Sequence, residues 1–195
     1  FYQSFGNTYD YIKENVFNNK DFNNNLMSVG FWPGGDRDGN PFVTPEITLQ
    51  VAERLKRTII KNYYRDIREL KRRLTFKGVE DKLINIQDKL HEYIFLRNSK
   101  NTFSSKHLMD GLLEIKLIII KDHQSLYLNL VDSLINKVKL FGSHFATMDI
   151  RQDSRVLEKA ESETEPIEIV SQSDEEDSKE SIPKLTKKQQ AELLR

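Results

Sequence analysis

The sequence predicts a mainly α chain with a few short β strands, and three observations carry that expectation. Ile47, Val51, Leu55, Ile59, Tyr63 and Ile67 recur every fourth residue, and Leu70 and Leu74 continue the stripe. That is the period of one buried helix face. Two further stretches repeat it: Leu83, Ile86, Leu90 and Ile94, then Leu108, Leu112, Ile115 and Ile119. Only two segments read as strands, the short apolar run 26–32 and the alternating run 143–151.

Taken in chain order, residues 7–18 predict a short helix that the Asn-rich stretch 18–25 ends, because Asn favours caps and turns. The strand near 26–32 stops at Pro33-Gly34-Gly35. Thr44-Pro45-Glu46 then starts the long helix, with Thr as N-cap, Pro at the first helical position and an acid in the first turn. A second helix is expected over about 80–96 by its spacing. Ser104 or Ser105 caps a third, and Leu126 to Leu140 continues it or forms another. Gly142 ends this helical run, since Gly is preferred just past a helix C-terminus. In the strand that follows, His144, Ala146, Met148 and Ile150 face one way; Phe145, Thr147, Asp149 and Arg151 face the other.

The chain is therefore expected to divide into a body, 1–156, and a tail, 157–195. Residues 157–180 hold ten acids against Lys159 and Lys179. Such a composition predicts disorder up to Pro183, with a hint of a short amphipathic helix over Leu185–Leu194.

Composition excludes some functions. The absence of cysteine rules out disulfides and thiolate metal sites and suits a cytoplasmic protein. No apolar run approaches the ~20 residues that span a bilayer, so no membrane partner is expected. The opening Phe1-Tyr2-Gln3-Ser4-Phe5 lacks a basic n-region, and a chain starting on Phe reads as an excerpt from something longer. The long helix carries Arg54, Lys56, Arg57, Lys61, Arg65, Arg68, Lys71, Arg72 and Arg73. Glu53, Asp66 and Glu69 interleave and no recognition motif accompanies them. A solvated face or subunit contact is favoured over a nucleic-acid surface. His91, His107, His123 and His144 are too dispersed for a local metal motif.

Two constellations remain. Gly34-Gly35-Asp36-Arg37-Asp38-Gly39-Asn40-Pro41 follows the first strand. Its glycines allow φ > 0 and bring main-chain N–H groups near a ligand, yet such a loop also reads as a plain solvated turn. Calcium is rejected, because an EF-hand needs Gly and Glu where Pro41 and Ile47 stand. Asp149-Ile150-Arg151-Gln152 is the second. Asp149 and Arg151 share a strand face and can pair, either as a surface ion pair or as an Arg fork held to grip a phosphate or carboxylate.

The loop 31–46, Phe-Trp-Pro-Gly-Gly-Asp-Arg-Asp-Gly-Asn-Pro-Phe-Val-Thr-Pro-Glu, resembles the signature loop of phosphoenolpyruvate carboxylases. The helix with Asn62-Tyr63-Tyr64-Arg65-Asp66-Ile67-Arg68-Glu69-Leu70 and the block Phe141–Ser154 ending in Asp-Ile-Arg-Gln-Asp-Ser are similar to the same family, in order. This resemblance covers about residues 1–156 and stops at the acidic tail. It implies a segment of a (β/α)₈ TIM barrel with long helical insertions, two of whose strands are 26–32 and 143–151. It further implies an internal part of a homotetrameric lyase that converts phosphoenolpyruvate and bicarbonate to oxaloacetate and phosphate with Mg²⁺ or Mn²⁺.

On the same resemblance, Arg151 is the phosphate-gripping Arg and Asp149 and Gln152 orient it. Arg37 with Gly34 and Gly35 lines the pocket, and Trp32 walls it. The family's catalytic His and its metal carboxylates have no counterpart in these residues, so no metal ligand is expected here and the segment alone is expected to be inactive. The rival reading is a non-catalytic helical interaction protein derived from this fold and recruiting partners through its acidic tail.

Overall fold

The computed structural model describes residues 1–18, 20, 27–38, 40–96 and 103–163, with side chains described through 159. Six helices and two strands follow in order: α1 Tyr2–Asn15, β1 Gly30–Phe31, α2 Pro45–Arg73, α3 Glu80–His91, α4 Ser105–Asp122, α5 Leu128–Phe141, β2 Thr147–Met148 and α6 Ser154–Glu163. A π-helical turn, Glu92–Leu96, extends α3. The described residues divide into two compact units, one within Phe1–Phe31 and Ala52–Thr147, the other within Trp32–Val51 and Met148–Glu163. The expected mainly helical class with short strands stands.

The first unit holds the hydrophobic core. Ile59, Tyr63, Ile67 and Leu74 of the α2 stripe are fully buried, as are Leu83, Leu112, Ile115 and Ile119 from the following helices. Val131, Leu134 and Val138 of α5 and Tyr2 of α1 complete it. The stripe fails only at its start, where Ile47 is exposed. Thr44 caps α2 as expected, its Oγ1 accepting from the Ile47 N–H at 3.4 Å. The π turn after α3 is braced by Arg57, which donates to the Ile94 carbonyl at 2.6 Å.

Four boundaries differ from the sequence expectation. Helix α1 begins at Tyr2 rather than at residue 7, so Gly6 lies inside it. There a Cβ would stand 2.8 Å from the Lys137 Cε, and Gly makes room for that stem. The strand 26–32 shrinks to Gly30–Phe31 within the described residues, and Leu26 lies outside them. The strand 143–151 shrinks to Thr147–Met148, because Gly142 at φ +56° leads into turns over the preceding residues. The strands are parallel, and the Thr147 N–H donates to the Val29 carbonyl at 2.8 Å. Helix α6 continues through Glu163, past the expected tail boundary, while the disorder and the short helix anticipated further on fall outside the described residues.

The basic residues of α2 mostly have partners within the chain. Arg72 and Arg73 pair with Glu69, Lys71 with Gln87, and Arg65 with Asn62. Lys56 lies over the Tyr93 ring and Arg68 over Tyr64. Among the described residues no helix is long and apolar enough to cross a membrane.

Candidate functional site

The second unit is organised by a turn and a bridge. Pro33 and Gly34 are the central residues of a turn closed by the Gly35 N–H donating to the Trp32 carbonyl at 2.9 Å. Gly34 sits at φ +83°, the value a type II turn demands at its third residue, with Pro favoured before it. Thr48, in the first turn of α2, donates its hydroxyl to the Gly34 carbonyl at 2.7 Å and holds the turn from behind.

Beyond the turn, Asp36 and Arg151 form an isolated parallel bridge. The Arg151 N–H donates to the Gly35 carbonyl and the Arg37 N–H donates to the Arg151 carbonyl, both at 2.9 Å. Gly35 is obligatory here. A Cβ on it would lie 2.0 Å from the Asp149 carbonyl oxygen, which is main chain and cannot swing aside. The loop and the Asp-Ile-Arg-Gln segment are thus fastened main chain to main chain.

Side chains complete the arrangement. Arg151 Nε donates to Asp149 Oδ2 at 3.3 Å, and its guanidinium carbon stands 4.1 Å from the centre of the Trp32 ring. All three side chains are about half exposed. Arg37 joins Arg151 through its backbone, while its guanidinium charge helps hold the Glu46 carboxyl below its ordinary range, after the Thr44 hydroxyl and the Glu46 N–H. Gln152 Oε1 is buried and lacks a hydrogen-bond partner among the described residues. Past the bridge, Arg155 grips Asp153 through Nε and Nη2, at 3.0 and 2.5 Å, and these bonds draw the Asp153 pKa down to about 2.

The seven residues expected at the site, Trp32, Gly34, Gly35, Arg37, Asp149, Arg151 and Gln152, all lie in this unit. Thr48 was not anticipated, although a Thr one turn after a helix cap is a usual donor to nearby carbonyls. The stacking of Arg151 on Trp32 was also unanticipated. Among the described residues no group of three or more His, Cys, Asp or Glu could hold a metal ion. Asp149 and Asp153 are each engaged by an arginine. A separate groove of about 880 Å³, lined by Lys82, Lys89, Tyr93, His107 and Glu114 among others, lies in the first unit and contains none of the site residues.

Comparison with known proteins agrees with the two motifs. The phosphoenolpyruvate carboxylase family model matches residues 5–106 and 73–192. The chain belongs to the phosphoenolpyruvate carboxylase family. Among similar proteins, the phosphoenolpyruvate carboxylase of Nitrosomonas eutropha is 28% identical over 179 residues, covering 71% of this chain and 19% of that protein. That of Shewanella sediminis is 31% identical over 152 residues, 63% of this chain and 17% of that protein. That of Pisum sativum is 36% identical over 89 residues, 46% of this chain and 9% of that protein. The chain thus spans less than a fifth of the length of these curated relatives. The family match also runs to residue 192, beyond the 156 at which the resemblance was expected to stop, so the acidic composition does not mark the end of the family sequence.

Proposed function

We propose that this segment supplies the phosphate-gripping wall of a phosphoenolpyruvate carboxylase, a cytoplasmic lyase that joins bicarbonate to phosphoenolpyruvate and yields oxaloacetate and phosphate. The single observation that carries the reading is the main-chain bridge between the Gly-Gly-Asp-Arg-Asp loop and Arg151. It fixes a cation beside a turn of glycines, and Asp149 engages its Nε edge, so the two Nη atoms are the edge that meets an anion. In this reading the phosphoryl group leaves the enol oxygen of phosphoenolpyruvate for a bicarbonate oxygen, and the resulting enolate is then carboxylated at carbon. The Arg151 fork binds the equatorial oxygens of the migrating group, where charge concentrates. Arg37, Gly34 and Gly35 line the pocket and Trp32 walls it.

Family membership supports the rest of the reading. β1 and β2 are two strands of a (β/α)₈ barrel, and the helices between them are an excursion from it. The parent is a homotetramer, and a divalent ion, Mg²⁺ or Mn²⁺, is held by residues outside this segment. By itself the segment is catalytically silent.

The test is Arg151→Ala in the complete protein. Loss of one such electrostatic donor lowers kcat by on the order of 10²–10³. Arg151→Lys rescues poorly, since it keeps the charge and loses the planar fork. Turnover near that of the unaltered protein in Arg151→Ala would overturn the assignment.

A further inference from the structure

Arg151 is a long, half-exposed side chain, and something must keep its guanidinium in one plane if it is to meet an anion edge-on. The ion pair with Asp149 does little alone, because an exposed pair at 3.3 Å leaves the group free to rotate about that contact. The Trp32 ring supplies the missing restraint: the guanidinium carbon stands 4.1 Å from its centre. Tryptophan offers the strongest cation–π face of the aromatic residues. Both partners are pinned at their backbones, Trp32 by the turn closed at Gly35 and Arg151 by its bond to the Gly35 carbonyl.

We propose that Trp32 is a positioning residue for Arg151, its indole face and the Asp149 carboxylate together fixing the guanidinium so that the Nη edge faces the transferring phosphoryl group. This rests on the functional reading above and gives Trp32 a role other than walling the substrate. It also explains why the turn carries Pro33 and Gly34. They set the indole at the height of the guanidinium, and Thr48 locks that turn to α2.

The experiment is a double-mutant cycle in the complete protein, with kcat, KM for phosphoenolpyruvate and melting temperature measured for each variant. Trp32→Leu removes the π face and is expected to lower kcat by about tenfold or more, as small misplacements of a catalytic group do, with little change in melting temperature. Trp32→Phe keeps a weaker face and recovers most of that loss. In the Arg151→Ala background Trp32→Leu adds no more than roughly twofold, because the group it positions is gone. Equal losses for Leu and Phe, or a Trp32 effect undiminished by Arg151→Ala, would overturn the inference and leave the role of Arg151 intact. Unimpaired turnover of Arg151→Ala itself would remove both. Should Trp32→Leu fail to fold, Trp32→Phe in the two backgrounds carries the same cycle.

Discussion

Two cations of this chain are built from the same parts and put to opposite ends. Lys137 in α5 pairs with Asp66 of α2 at 3.0 Å and lies 5.1 Å from the centre of the Tyr2 ring. Arg151 pairs with Asp149 at 3.3 Å and lies 4.1 Å from the Trp32 ring. The lysine side chain is 7% exposed and the arginine 51%. Lys137 also donates to Gln3 at 3.1 Å, and the Tyr2 hydroxyl donates to Asp66 at 2.8 Å. Two hydrogen bonds of Lys137 and the carboxylate opposite join α1, α2 and α5. Arg151 is half exposed, with its Nε edge engaged by Asp149. A buried cation bonded on several sides holds helices together, and a half-exposed, oriented one is suited to a ligand.

That contrast can be broken most forcefully at Asp66. Asp66→Ala leaves the Lys137 ammonium buried without its counter-charge and removes the acceptor of the Tyr2 hydroxyl. We expect a loss of about 3 kcal/mol, the low end for a broken buried pair, because Asp66 retains some solvent contact. Turnover per folded molecule should be unchanged. Denaturant unfolding with activity measured on the folded fraction checks both, and a loss below about 1 kcal/mol would show that the buried cluster behaves like a surface pair.

Two glycines sharpen the comparison next. Gly35→Ala drives a Cβ into a main-chain oxygen, so the bridge must open and Arg151 must shift; roughly 1–3 kcal/mol of stability and most of the turnover should go together. Gly6→Ala meets only the Lys137 stem, a flexible chain that can give. It should cost less and spare turnover. Melting temperature and kcat of the two variants side by side decide it, and the reverse order of effects would be fatal to this account.

Alkaline pH should act on the buried region alone. Burial raises the Tyr2 hydroxyl far above its ordinary value of 10.0, with Asp66 adding to the rise, and Tyr63 moves the same way for the same reasons. A raised folded-state pKa contributes stability that is complete below pH 10 and is lost above it, where the unfolded chain releases the proton and the folded one does not. The slope is about 1.4 kcal/mol per pH unit for each tyrosine. Stability measured from pH 9 to 11.5 should fall with that steepness, and Tyr2→Phe should reduce the slope. A flat profile contradicts it.

The helices α2 to α5 were legible in sequence because a four-residue apolar period is a local property, whereas α6 was not anticipated. So was the pairing of Asp149 with Arg151, two residues apart on one strand face. The Lys137 cluster was not. A lysine in a helix reads as solvated, and only the packing of α1 against α5 and α2 reveals its partners. The start of α1 at Tyr2, which places Gly6 inside the helix, was not anticipated. Strand length was misjudged because alternation measures which faces are apolar and is silent about how far a partner strand accompanies it. The stacking of Trp32 on Arg151 joins residues more than a hundred positions apart, and no periodicity reaches that far. Gln152 leaves a buried carbonyl oxygen without a donor among the described residues, which its place in the sequence did not reveal.

The smallest effect is expected at Asp149, the counterpart of Asp66. Asp149→Asn keeps the size of the side chain and an oxygen that can still accept from Arg151 Nε, and it deletes only the charge. Because both partners are half exposed, water replaces most of the lost Coulombic attraction, and stability should change by roughly 0–1 kcal/mol. The loss should shrink further at high salt, since an exposed pair is screened where a buried one is not. Turnover should drop only a few-fold, on the order of one lost charge-assisted hydrogen bond, because Trp32 still holds the plane of the guanidinium. Measured beside Asp66→Asn at two ionic strengths, the pair of variants compares the same loss of charge at a buried and at a half-exposed site. If Asp149→Asn proved as damaging to stability as Asp66→Asn and equally indifferent to salt, the Arg151 centre would be a structural clamp like that of Lys137, and its guanidinium would have no claim to a ligand.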